Sequence, residues 1–373
     1  MKFHVKTGDF QKAISAVEGV ITVREIKSVL SNLKLEAEEN RVSISATDLE
    51  ISIKTSIASN THVVGSGSIP AKQLSNILKA INFSETSLEN VNEGENSAKT
   101  IITDAENKVD FKMMINGIGG EEIKTISTID DSRTSGFQCN TLSSMIKKTS
   151  FSVALEDTRF VFNGLYVKSF ENKIVVVGTD GRRLARVERE FTNNLPFQNG
   201  VIIPHKAIKE ILKIIDHNES GRIGLIDNQI YIKINEIELL CKLIDGNYPD
   251  YEAVIPKETH NNIKMPKDKF LVALRQALIA AEEPSRQLRL RFNDNNLHIN
   301  ASTPGTTEAN INIPVDYSGE DTTIAFKGDF LLDIVKSIED QEIIIEFNNS
   351  NAPVVFKDPS DPQYISVVMP MKL

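Results

Sequence analysis

The stretch from Ile203 to Ile215 reads IPHKAIKEILKII. Ile208, Ile211, Leu212 and Ile215 fall at i, i+3, i+4 and i+7, the single apolar stripe of an amphipathic helix. Pro204 is expected in its first turn, where a missing N–H costs nothing. The stripe recurs as Leu74, Ile77, Leu78 and Ile81 behind Pro70, and as Leu331, Ile334, Val335 and Ile338. Weaker copies are Phe10, Ala13, Ile14 and Val17; Leu142, Met145, Ile146 and Thr149; and Phe270, Ala273, Leu274 and Ala277 behind Pro266. The six starts, at 10, 74, 142, 208, 270 and 331, are separated by 64, 68, 66, 62 and 61 residues, an internal repeat of near-constant period.

Five residues after each start stand Ser15, Lys79, Lys147, Lys213, Arg275 and Lys336, basic in five copies of six. At about 100° per residue this position lies about 150° from the centre of the stripe and points away from the core. In one helix that describes a solvated face. Recurrence at one register predicts six equivalent helices presenting cations to a shared surface. The chain of 373 residues carries a net charge of −9, yet the six helical stretches (8–21, 70–82, 138–155, 204–215, 267–281 and 327–338) sum to +7 and leave −16 elsewhere. Basic helices within an acidic protein suit weak, sequence-independent attraction to phosphates on one surface and repulsion elsewhere.

Residues 3–5, 33–35, 41–57, 66–70, 88–115, 165–168 and 173–177, with a run ending near 242–244, read as strands. Each half-unit is then one helix followed by antiparallel strands, and two half-units make a domain. Aperiodic stretches at 123–136 and 256–262 read as linkers. The predicted class is α+β: three similar domains, at 1–131, 132–260 and 261–373, each an internally two-fold unit of a helix pair and an antiparallel sheet. A helix stripe needs a sheet face to cover it, so the polar helix faces are expected on one side.

A 40% hydrophobic, 25% charged composition is ordinary for a soluble globular protein. Cys139 and Cys241 form no CxxC and no framework, which places the chain in a reducing cytoplasm. The N-terminal residues lack the unbroken apolar core of a signal peptide, and no stretch reaches membrane-spanning length, so no membrane association is expected. The histidines His4, His62, His205, His217, His260 and His298 show no metal-ligand spacing. No Walker A sequence occurs, the GxG at Gly65 and Gly67 runs into Pro70, and Gly117, Gly119 and Gly120 read as a loop. No metal, cofactor or catalytic residue is expected. Asn218-Glu219-Ser220 matches the glycosylation pattern by chance in a chain without a secretion signal. Two rival readings stay open on these grounds: a metal-dependent nuclease or other hydrolase, and a repeat scaffold that binds no DNA.

Two stretches are unusual for a scaffold. Thr179-Asp180-Gly181-Arg182-Arg183-Leu184-Ala185 puts a turn beside two arginines, either a plain hairpin with charges in water or part of a site. Val367-Val368-Met369-Pro370-Met371-Lys372-Leu373 is apolar where termini are usually polar, either a last core strand or a pliable Met-rich groove.

With Met1-Lys2-Phe3, Thr47-Asp48-Leu49-Glu50, Thr179-Asp180-Gly181, Arg183-Leu184-Ala185, LIDGNYPDY from Leu243 to Tyr251, and VVMPMKL from Val367, the whole chain resembles the bacterial sliding-clamp family, the beta subunits of DNA polymerase III. The resemblance implies the DNA clamp fold and a head-to-tail homodimer closing a ring around double-stranded DNA. It also implies a tether without catalysis for the replicative polymerase, the clamp loader and other replication and repair proteins, each bound through a short apolar peptide motif. The implied peptide pocket is Phe162, Thr179, Gly181, Arg183, Leu184, Pro249, Val254, Phe330, Val367, Val368, Met369, Pro370, Met371 and Leu373. The DNA-facing positions are Arg24, His205 and Lys206, together with the repeated Lys79, Lys147, Lys213, Arg275 and Lys336. The implied dimer contact brings Phe111 and Met113 to Ile279 and Ala280. Arg182, Ala253 and Lys372 depart from residues common in the family, as does Glu156 at a usually neutral position.

Overall fold

Each of the six α-helices among the described residues begins at the residue after a strand ends, with no loop between them. The computed structural model describes residues 1–21, 29–94, 97–117, 126, 129–191, 193, 195–216 and 218–372. In chain order, β1 (Lys2–Lys6) runs into α1 (Thr7–Val17), followed by β2 (Asn32–Ala37), β3 (Arg41–Thr47), β4 (Ile51–Ala58) and a short extra strand β5 (Asn60–Val63). Next, β6 (Gly65–Pro70) runs into α2 (Ala71–Ala80), then β7 (Glu85–Gly94), β8 (Ser97–Asp104) and β9 (Lys112–Gly117). The third copy is β10 (Thr134–Gln138), α3 (Cys139–Thr149), β11 (Gly164–Phe170), β12 (Lys173–Thr179) and β13 (Arg183–Glu190). The fourth is β14 (Val201–Pro204), α4 (His205–Ile215), β15 (Ser220–Ile226), β16 (Gln229–Ile234) and β17 (Ile237–Lys242). The fifth is β18 (Asn261–Pro266), α5 (Lys267–Ala280), β19 (Gln287–Asn293), β20 (Asn296–Thr303) and β21 (Thr307–Pro314). The sixth is β22 (Thr322–Lys327), α6 (Gly328–Ser337), β23 (Glu342–Phe347), β24 (Val354–Asp358) and β25 (Asp361–Val368).

The helices start at 7, 71, 139, 205, 267 and 328, three residues before each stripe start, so the sequence period is the period of one strand–helix–three-strand module. Their junctions carry none of the Ser, Thr or Asp caps that usually mark a helix start. No side-chain cap hydrogen bond is made at Lys6, Pro70, Pro266 or Lys327. The first helical N–H instead extends the β-ladder by one rung. Thr7 donates to the carbonyl of Ser84, Cys139 to Glu219, Lys267 to Gln341 and Gly328 to Arg286, at 2.8–3.1 Å. One otherwise orphaned donor is thereby satisfied at each of these starts.

Pro70 and Pro204, expected within their helices, are corrected by one position, while Pro266 precedes its helix as expected. Pro70, Pro204 and Pro266 are the last strand residues, not members of the first helical turn. A φ of −58° at Pro70 and −63° at Pro266 suits either state, but ψ of 117° and 121° keeps both residues extended. Three strand boundaries also differ. The run 41–57 is broken after Thr47 by a turn, the run 88–115 is three strands starting at Glu85, and β10 takes 134–136 out of the first linker. Residues 123–125 and 127–128 of that linker, with Arg24, His217 and Leu373, lie outside the described residues.

Burial follows the stripe in all six helices; only Ile77, Ile81 and Leu212 of its members are less than fully buried. Ser15, Lys79, Lys147, Lys213, Arg275 and Lys336 are all exposed. Each lead-in strand pairs antiparallel with the strand that follows the helix in the other module of its pair: β1 with β7, β6 with β2, β10 with β15, β14 with β11, β18 with β23 and β22 with β19. Paired modules are thus interlocked, three pairs making three α+β domains.

The chain forms two compact units, Met1–Asn140 with Lys209–Leu243, and Thr141–Ile208 with Ile244–Leu373. The first holds sheets ordered β5-β1-β7-β8-β9 and β10-β15-β16-β17-β4-β3-β2-β6. The second holds β14-β11-β12-β13-β25-β24-β23-β18 and β21-β20-β19-β22. Each eight-stranded sheet is spliced at one seam: β17 pairs with β4 through Cys241↔Ile51, and β13 with β25 through Leu184↔Val367.

In the second unit one helix cation is not on the surface. Lys148, next to the exposed Lys147, is 3% exposed. Its ammonium sits 2.7 Å from Asp361 and 3.5 Å from both Asp358 and Glu339, and Arg189 also pairs with Asp361. The charge of +2 read on this helix therefore overstates what it presents outward. Burial pushes the Asp358 carboxyl up, but hydrogen bonds from Ser360 and from the Glu339 N–H, with the charge of Lys148, leave it below its ordinary value.

Lys148→Met is expected to cost about 3–5 kcal/mol, because it strands buried carboxylates, and the measure is the loss in chemical-denaturation midpoint. A carboxyl depressed in the folded state gives stability that is present above its ordinary value and lost as pH falls through the depressed one. The wild-type acid transition should therefore shift to higher pH in Lys148→Met.

Candidate functional site

At the β13–β25 seam of the second unit lies a groove of about 310 Å³. Its floor is apolar and buried, from Phe162, Leu184 and Val367, with Thr179. Pro249, Val254 and Met369 form a more exposed rim. Val254 and Met369 are 43% and 41% exposed, large apolar side chains left open beside an apolar floor.

The groove is shaped by one turn. Thr179 Oγ1 accepts from the Gly181 N–H at 3.0 Å and donates to the Arg183 carbonyl at 2.6 Å. Asp180 Oδ1 accepts from the N–H groups of Arg182 and Arg183 at 2.9 and 3.0 Å. Gly181 sits at φ +81°, and a Cβ there would come within 3.1 Å of the Arg159 guanidinium. Only glycine meets both demands without strain.

Arg183 and Arg159, beside this turn, are held by carboxylates. Arg183 donates to Asp180 at 3.1 Å and Asp333 at 2.7 Å, and its guanidinium lies 4.3 Å from the Phe330 ring centroid. Arg159 is held by Asp157, whose carboxyl is drawn down to about 2 by those hydrogen bonds, and covers the Phe162 ring at 4.4 Å. Behind the wall, Tyr248 stacks on Tyr166 at 4.7 Å, and burial raises the Tyr248 phenol far above its usual value.

Of the residues implied for this pocket, nine line the groove: Phe162, Thr179, Gly181, Arg183, Leu184, Pro249, Val254, Val367 and Met369. Val368 does not. It is fully buried and alternates to the other face of β25, as the two-residue period of a strand requires. Phe330 packs against the Arg183 guanidinium and does not line the groove, while Met371 donates its N–H to Ala325 beyond the groove, with Pro370 between strand and bridge. Arg159, Arg182, Asp250 and Tyr251 line the groove and were not selected from sequence. Asp250 and Tyr251 lay within a quoted stretch, but nothing in the sequence linked Arg159 to a turn 20 residues on.

The same seam is built a second time in the first unit. Thr47 Oγ1 accepts from Leu49 N–H at 3.1 Å, and Asp48 Oδ1 accepts from Glu50 and Ile51 at 3.0 and 2.7 Å. Lys242 N–H donates to Glu50 O at 2.9 Å where, in the other seam, Met369 N–H donates to Arg182 O at 2.8 Å. Where Gly181 opens its groove, this copy holds Leu49 at φ 76° and 63% exposed.

The helix cations are less uniform than their register. Lys79 pairs with Glu18 at 3.7 Å and Lys213 with Glu210 at 2.7 Å. Lys213 shares a cleft of about 400 Å³ with Lys12 and Ser15 of α1, which adds Lys12 to the set. Lys147, Lys206, Arg275 and Lys336 are exposed, and His205 is half-buried. Of the positions implied at the dimer contact, Met113 and Ile279 are 39% and 82% exposed. Phe111 packs edge-on against Phe83 at 5.2 Å, and Ala280, only 5% exposed, offers almost no area. Among the described residues no group of three His, Cys, Asp or Glu stands close enough to hold a metal ion, and no helix is long and apolar enough to cross a membrane.

Family models of the DNA polymerase III beta subunit match in succession: the N-terminal domain over residues 1–125, the central domain over 137–250 and the C-terminal domain over 252–372. Beta sliding clamps of Chlamydia pneumoniae and Salmonella typhimurium are each 27% identical, over all of this chain and 99% and 100% of theirs. A Pseudomonas aeruginosa sliding clamp, solved bound to griselimycin, superposes with TM-score 0.90 at 25% identity, covering 100% of both chains. The DNA polymerase sliding clamp of Caulobacter crescentus gives 0.89 at 27%, again over 100% of both.

The two turns should respond oppositely to exchange of their central residue. Leu49→Gly relieves a left-handed strain and should raise stability by about 0.5–1 kcal/mol, whereas Gly181→Ala should lower it by about 1–2 kcal/mol. Thermal unfolding of the two variants beside wild type gives the signs.

Proposed function

The chain belongs to the DNA polymerase III beta-subunit family and is a DNA sliding clamp, and from that premise we propose that two copies close head to tail into a ring around duplex DNA. One observation carries this reading. Of the six strands that end a module, four are spliced in pairs: β4 joins β17, and β13 joins β25. The two remaining, β9 and β21, are edges of their sheets. If every seam follows one rule, β9 of one copy pairs with β21 of the other, with Met113 and Ile279 supplying apolar area beside it and Phe111 supporting it.

The proposed domain boundaries remain 131/132 and 260/261. Lys79, Lys147, Lys206, Lys213, Arg275 and Lys336, with His205 and Arg24, act as a loose cationic lining that touches phosphates without reading sequence. Ion pairs such as Lys79–Glu18 are exposed and weak enough for a phosphate to compete with them. The ring holds by topology and performs no chemistry. The groove at Phe162, Leu184 and Val367 takes a short apolar peptide of the polymerase, the clamp loader or another replication or repair protein. Tethering raises that partner's effective concentration at the primer end, which is processivity.

Protein placed on nicked circular DNA by a clamp loader should stay bound and run off once the circle is linearised. Retention on the linear form would overturn the ring. Ile279→Asp should shift sedimentation from dimer to monomer, since it buries an unpaired charge at the seam, while leaving peptide binding to the isolated chain intact.

A further inference from the structure

On the five-stranded sheet of the first unit, two histidines meet across neighbouring antiparallel strands. His4 stands on β1 and His62 on β5, the edge strand, where the register shifts between Lys2 and Phe3. Their rings lie edge to face with centroids 4.4 Å apart, and His62 Nε2 is 3.4 Å from His4 Nδ1. Two nitrogens each bound at about 2.0–2.1 Å to one tetrahedral zinc stand about 3.4 Å apart. We propose that His4 and His62 form a bidentate site for a borderline divalent transition cation such as Zn²⁺, with water completing the coordination.

Several features favour a metal over a simple hydrogen-bonded pair. The site opens to solvent, since His62 is exposed and His4 half-buried, so water ligands and an entry path are available. The groups that act electrostatically on His4 are His62, Glu85 and Lys2, so one carboxylate stands near to offset the incoming charge. Burial first, and the neighbouring His62 second, hold the His4 imidazole below its usual protonation range. No proton need be lost on binding, because the hydrogen shared between the facing nitrogens moves to the other nitrogen of the same ring. Lys2 is engaged with Glu89 at 3.1 Å on the same face, which draws its ammonium toward that carboxylate.

The test is calorimetric titration of the full chain with ZnCl₂ alone at pH 7.5, for wild type, His4→Gln, His62→Gln and the double variant. The expected result is one Zn²⁺ per chain, weakened at least about tenfold by either single substitution, with the double variant no weaker than the singles. Absence of binding by wild type, or a loss in only one single variant, overturns the site. So does binding of wild-type strength in the double variant, which would place the cation on His205, His217, His260 or His298. His62 is exposed and its replacement leaves the core intact, so thermal unfolding of His62→Gln without metal should match wild type. Run-off from linearised DNA should not change in His62→Gln, which separates this site from the ring reading.

Discussion

Continuity of the β-ladder into the helices is the constraint on which the structure depends. In four junctions the N–H that opens a helix is the last donor of the strand pairing before it. A helix fixed this way has its axis and its rotation set by the sheet, with no loop to absorb error. Its apolar stripe must face the sheet, and the residue five positions later must face away. Six repetitions of one junction account for the period of 61–68 residues more directly than helix length or loop length does.

The parts legible in sequence were those governed by local periodicity. Stripe positions and the exposed fifth residue follow from 3.6 residues per turn and need no tertiary knowledge. Lys148 was not legible, because whether a lysine beside Lys147 is solvated or buried depends on Asp358 and Asp361, more than 200 residues away. Pro70 and Pro204 are read one position too far into their helices for a related reason. A proline just before a helical stripe fits the first turn or the last strand residue equally well, and only the partner strand decides. In the groove, the turn Thr179–Arg183 is visible in the sequence as chemistry, whereas Val368 enters with Val367 through the family resemblance and strand alternation turns it to the other face.

The two seams illustrate how one backbone plan supports different surfaces. Both use a Thr–Asp turn whose side chains satisfy the same three N–H groups, and both clamp the incoming strand through the residue that follows the turn. The difference is a single side chain at a left-handed position. Glycine lets Arg159 lie over Phe162 and leaves the floor open. Leucine at the other seam keeps a strained backbone and projects into solvent. The plan thus fixes where a groove can form, and a residue with no side chain determines that it does.

The unspliced edges β9 and β21 have a kinetic meaning as well as a geometric one. In the proposed two-copy ring each copy contributes one edge of each kind, so the two seams are equivalent and of the same strength. The first forms by collision and depends on concentration. The second joins edges already held on one assembly, and forms at an effective concentration set by the rigidity of the chains. Rupture of one seam leaves the copies attached and recloses faster than they separate. In the proposed ring, an opened seam is therefore a state that closes again before the copies part, a gate that a loading machine would need only to hold open and not to dismantle.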